Sequence, residues 1–86
     1  MDRVRKAEID ILRYLSVHQD ARDTIEGIQQ WWLPQTGEYG VADIAGALRR
    51  LQRRDLIRVW KSASTKPVYG LWAGSAAAEE YLRGIE

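Results

Sequence analysis

Cysteine is absent from the 86 residues, so neither a disulfide framework nor a thiolate metal site can hold the chain together, and packing alone must do so. No apolar run approaches the roughly 18 residues of a membrane span. The opening MDRVRKAEID carries charge throughout and has no apolar stretch, so a soluble, cytoplasmic protein with no membrane partner is expected. Histidine occurs once, as His18 at the end of a helical stretch, where it suits the C-terminal dipole better than base catalysis. No phosphate-cradling glycine loop, nucleophile elbow or metal-ligand spacing is present. Glu79 and Glu80 belong to an exposed helix surface and carry no acid–base signal. Neither an enzyme nor a bound metal or cofactor is expected.

What is present is an ordinary globular composition, 45% hydrophobic and 29% charged, which argues against disorder and coiled coil. A chain this short buries only about 60 to 65% of its unfolded surface and has no material for a second core. One domain over residues 1–86 follows. The net charge of +1 predicts nothing about partners, but its distribution does. Residues 1–46 hold five basic and eight acidic side chains, residues 47–66 hold seven and one, and residues 67–86 hold one and three, so the positive charge is concentrated in one short segment.

Along the chain, Val4, Ala7, Ile11, Tyr14 and Leu15 recur at helical spacing, with Ile9 and Leu12 widening the arc, which predicts a first helix over residues 3 to about 18. In DTIE, Asp23 and Glu26 have the spacing of a cap, and a second helix follows with Ile25, Ile28 and Trp32 on one face and Trp31 at its edge. Pro34 ends it, and residues 34–40, PQTGEYG, read as a loop. From Val41 to about Arg54 a third helix places Val41, Ile44, Leu48 and Leu51 within an arc of roughly 80°. Arg49, Arg50, Arg53 and Arg54 fall on the opposite side. LIRVWK and VYGLW are β-rich runs around the turn SASTKP, which predicts a hairpin. Ser75 is placed to cap a last helix striped by Ala78, Tyr81, Leu82 and Ile85.

The order helix, helix, helix, hairpin, with VADIAGALRRLQRRDLI leading into a wing that ends in VYGLW, resembles the winged helix-turn-helix family over about residues 4–73. The spacing of Ile44, Leu48, Leu51, Leu56 and Ile57 carries most of that likeness. The resemblance implies an α+β, mainly α fold with a three-helix core, a two-stranded β-hairpin wing and here a short C-terminal helix. It also implies a DNA-binding transcriptional regulator whose third helix enters the major groove while the wing follows the backbone. The residues expected at the DNA are Arg49, Arg50, Arg53, Arg54, Arg58, Lys61 and Lys66, mainly on phosphates. Where the family often has a glycine before the leucine and isoleucine that enter the wing, this chain has Asp55.

Other roles compete at the same residues. An amphipathic helix needs a polar face, and four arginines supply one. The first half of the third helix is expected to expose Ala42, Asp43, Gly46 and Ala47, of which only Asp43 can read a base, and a first-turn amide is its better partner. Trp32 is expected in the core. Trp31, Trp60 and Trp72 suit core edges or contacts, and strand alternation turns Trp60 outward with Arg58. A protein-interaction module of the same fold is the alternative function. The first and last helices offer a homodimer surface, or pack on each other within one chain.

Overall fold

The computed structural model describes residues 2–33, 39–72 and 74–84. Helix α1 spans Arg3–Val17, and Asp2 caps it by accepting from the Arg5 amide at 2.7 Å. A two-residue strand β1, Arg22–Asp23, precedes α2, Ile25–Gly27, which continues as a π-helical stretch, Ile28–Trp32. Helix α3 spans Val41–Arg53, strand β2 Ile57–Ser62, strand β3 Thr65–Leu71 and helix α4 Ser75–Arg83. The class is α+β and mainly helical, with a three-stranded antiparallel sheet in the order β1-β3-β2. No helix among the described residues is long and apolar enough to cross a membrane.

The sheet corrects the expected two strands. β1 adds to the free side of β3 through Arg22 opposite Gly70 and Asp23 opposite Tyr69. Two residues, neither of them apolar, leave no period to read. The hairpin turn is also shorter than SASTKP, because Ser62 pairs with Thr65 and only Ala63 and Ser64 lie between the strands. The register slips between Trp60 and Ser62. Pro67 falls within that slip and beyond the reach of β1, where a residue with no N–H donor costs no ladder bond.

Packing follows the helical periods. Ala7, Ile11, Leu12 and Leu15 of α1 meet Ile44, Ala47, Leu48 and Leu51 of α3 in one buried cluster with Ile28, Trp32, Leu56, Ile57 and Ala78. Fully burying each large aliphatic contributes about 1.5–3 kcal/mol, so this contiguous cluster is what sets α1 across α3. Helix α4 lies on α1 in the same chain, with Ala78 buried and Tyr81 and Leu82 packed against the core. That is the intrachain packing of the first and last helices.

Several local expectations change. Thr24, not Asp23, caps α2, accepting from the Gly27 amide at 3.1 Å, because Asp23 is committed to β1 and accepts from the Thr24 amide at 2.8 Å. Gly74 is the residue before α4, so Ser75 begins the helix and does not precede it. Ala47 is buried, not exposed, and Val41, expected in the apolar arc, is 46% exposed at the first turn of α3. Gly46 faces α1, where an added Cβ would lie 3.5 Å from the Val4 methyls. Pro34, the residues 34–38 of the predicted loop and Ile85 lie outside the described residues. Tyr39, within that loop, is buried. It donates to Asp10 Oδ2 at 2.7 Å while its carbonyl accepts from Gln29 Nε2 at 2.7 Å, which ties the entry of α3 to α1 and the π-helical stretch.

The end of α3 sets the path into the hairpin. Asp55 takes φ 57°, the left-handed conformation. The Asp55 amide donates to Gln52 O at 3.0 Å and the Leu56 amide to Leu51 O at 3.1 Å, the paired bonds of a Schellman stop. Leu56 and Leu51 are both buried, so the same turn that ends the helix returns the chain to the core.

Candidate nucleic-acid interface

The seven basic residues from Arg49 to Lys66 do not form one group. Arg49 and Arg53 stand four apart on the exposed side of α3, with no carboxylate partner among the described residues. Arg50 turns toward α1 instead. Its Nη1 lies 3.5 Å from Glu8 Oε2 and 3.9 Å from Asp2 Oδ1, with its side chain 46% exposed. Arg54 places its guanidinium 5.1 Å from the centre of the Tyr81 ring on α4. Arg50 and Arg53 occupy the last turn of α3, where the helix macrodipole favours cations.

On the hairpin, Arg58 lies 3.4 Å over the Trp72 ring. Arg58 pairs with Gly70, so Trp72 is its diagonal neighbour two residues along β3, the reach of a long side chain. Trp60 is directed to the same outer face, as alternation predicts, and is half-buried there because Arg22 of β1 stacks 3.8 Å above it. Gly70 makes this possible. A Cβ at that position would meet Arg22 Cγ at 2.8 Å and Trp60 Cζ3 at 3.1 Å, so only a residue without a side chain lets the ring lie across β3. Lys61 is exposed with no ion pair among the described residues, and Lys66 makes a long, exposed pair with Glu26 at 3.9 Å. Exposed pairs of this kind contribute about 0–1 kcal/mol.

Arg50, Arg53 and Arg54 converge with Arg5 and Glu8 on one cleft of about 440 Å³ between α1 and α3. Glu8 is 1% exposed, the one buried charged residue among those described. Tyr81 also donates to it, from Oη to Oε1 at 3.5 Å. Burial, and then the Glu8 charge, raise the Tyr81 hydroxyl above its ordinary range, while Arg5 and Arg54 oppose that shift. Neither Glu8 nor Arg5 stands out among the charged residues of the sequence. A signal for Glu8 was nonetheless there: Ile11, Leu12 and Leu15 lie three, four and seven residues after it, which puts it in the middle of the apolar stripe of α1.

The remaining candidates have defined surroundings. Asp43 accepts from the Gly40 amide at 3.1 Å, which is the expected first-turn role. His18 ends α1 as its C-cap and packs on Tyr14 at 4.4 Å between centroids. Tyr14 in turn stacks on the buried Trp32 at 4.9 Å. Trp31 is 68% and Trp72 53% exposed. No group of metal-ligating side chains occurs among the described residues.

No family model, curated protein or solved structure matches the chain.

Proposed function

We propose that the chain is a small winged helix-turn-helix protein that binds duplex DNA, chiefly through phosphates, and serves as a cytoplasmic transcriptional regulator. The observation that carries this reading is Arg49 and Arg53 side by side on the exposed side of α3 with no carboxylate partner among the described residues. Like charges four apart on a helix cost about 0.2–0.5 kcal/mol per pair, and a polyanion relieves that cost. The order of elements supports the fold assignment: two helices, α3, a left-handed stop at Asp55 and a hairpin of two paired strands. A helix about 10 Å across fits a major groove about 12 Å wide.

Cation–π contact leaves a guanidinium its charge, so Arg54 on Tyr81 and Arg58 on Trp72 remain available to phosphate. Setting aside Arg50, held by Glu8, and Lys66, paired with Glu26, leaves Arg49, Arg53, Arg54, Arg58 and Lys61. Five phosphate contacts give a slope of log affinity on log salt of about −4.5, or roughly a 500-fold loss between about 50 and 200 mM salt. Fluorescence anisotropy with a random-sequence duplex measures it directly, and a slope near zero removes DNA from the account. Base-specific contact is not part of the proposal, since Ala47 is buried, Gly46 packs on Val4 and Asp43 is a cap.

A second reading, a protein-interaction module, draws on a different observation. Trp31 and Val17 are exposed at 68% and 75%, and Val17 borders a groove with Tyr14, His18, Trp32 and Leu33. Large aromatics are favoured at protein contacts. Val17→Ala leaves duplex affinity unchanged if that groove serves a protein partner, and lowers it if the groove meets DNA.

A further inference from the structure

We infer that the cleft between α1 and α3 is a phosphoryl-binding site, with Arg5, Arg53 and Arg54 as its ligating groups and Glu8 as a positioning residue that holds Arg50. The inference deepens the nucleic-acid reading and rests on it only for the source of the phosphoryl group. Among the described residues the cleft is lined by four guanidiniums and a single carboxylate. That carboxylate is fully buried, and Arg50 and the Tyr81 hydroxyl are both turned toward it. One positive charge is thereby matched, and Arg5, Arg53 and Arg54 are left without an ion pair among the described residues.

Among the described residues the lining is all arginine where it is cationic and includes no aliphatic or aromatic residue, which suits a compact polyanion. Guanidinium forks match the oxygen spacing of phosphate and bind it in bidentate fashion, which lysine does not do. The three unmatched groups come from two helices whose mutual position is fixed by the buried cluster of Ala7, Ile11, Ala47 and Leu51. A site preorganised in this way spends little ordering entropy on binding. Glu8 keeps Arg50 directed inward and prevents a fourth like charge from opening the cleft.

The test is a titration with inorganic phosphate at constant ionic strength, balanced with sodium chloride, following the arginine Nε–H signals by NMR. Saturable shifts are expected at Arg5, Arg53 and Arg54, with Arg5→Gln and Arg53→Gln each weakening phosphate by roughly tenfold. Arg83→Gln, at an exposed position at the end of α4, leaves it unchanged. Thermal unfolding of each variant identifies any loss that comes from misfolding, and the exposed Arg53 position provides a readout if Arg5→Gln is unstable. Shifts that are uniform over all arginines, or reproduced by chloride alone, overturn the site whatever the duplex does. Given saturation, an equal loss of duplex affinity in Arg5→Gln makes a DNA phosphate the source. Unchanged duplex affinity in that variant assigns the cleft to a free phosphoryl compound. Saturation by phosphate with no duplex binding at all removes the DNA reading and leaves the site.

Discussion

The two flanks of α3 carry the same residue type and put it to different use. On the flank toward α1, Arg50 meets the buried Glu8 at 3.5 Å, which ties its guanidinium to the fold. On the outward flank, Arg49 has no carboxylate partner among the described residues, and neither has Arg53, which reaches from that flank to the cleft. The sheet repeats the contrast, with Arg22 stacked on the half-buried Trp60, while Arg58, on the exposed Trp72, and Lys61 keep their charge open to solvent. Positive charge in this segment therefore divides into a part that stabilises and a part that is available, and substitution separates the two.

The largest effect is expected at Arg50. Arg50→Ala strands the Glu8 carboxylate in the core and lowers stability by about 3 kcal/mol. Adding Glu8→Gln should recover much of that loss, and urea denaturation of the two variants measures the coupling. Next is Gly70→Ala, whose methyl collides with Arg22 Cγ and with the Ala21 carbonyl, 2.8 and 2.9 Å away. It should cost about 2 kcal/mol and increase the solvent exposure of Trp60, visible as a red shift in tryptophan emission.

A smaller effect is tied to pH. Burial, followed by the Asp10 carboxylate, holds the Tyr39 hydroxyl above the ordinary tyrosine range. A raised folded-state value means that the unfolded chain loses the proton first as pH rises. The contribution is complete below about pH 10 and is lost above it, by up to about 1.4 kcal/mol per pH unit. Denaturation curves at about pH 9 and about pH 11 should show the loss in the native chain, and Tyr39→Phe should lessen it.

At the stop of α3, Asp55→Gly removes a side chain from a left-handed position and should raise stability by about 0.5–1 kcal/mol. It also removes the one acidic residue among the basic ones of residues 47–66 and should tighten duplex binding slightly. The smallest change in stability belongs to the outward flank. Arg49→Ala should move it by less than about 0.5 kcal/mol in either direction, so a loss comparable with that of Arg50→Ala would erase the distinction between flanks.

The helices and the hairpin strands are legible in the chain because their apolar residues keep periods of 3.6 and 2 through Ile11, Leu15, Ile44, Leu48 and Ile57. The exposed side of α3 is legible for the same reason. What periodicity does not carry is partnership between distant residues. Glu8 and Arg50 lie 42 positions apart, and their meeting depends on how α1 crosses α3. The stacks of Arg22 on Trp60 and Arg58 on Trp72 depend on strand register and on the missing side chain of Gly70. Strand β1 is held by backbone pairing, to which Arg22 and Asp23 contribute no pattern. Glu8 could have been read from its place in the apolar stripe, but a carboxylate is ordinarily assigned to the surface.

The most direct test of the division between flanks compares the salt dependence of duplex binding for two single variants, Arg53→Gln and Arg50→Gln, with that of the native chain. Arg53→Gln should flatten the slope by about 0.9, while Arg50→Gln should leave it near the native value of about −4.5. Equal flattening by both variants, or none by either, would contradict the division.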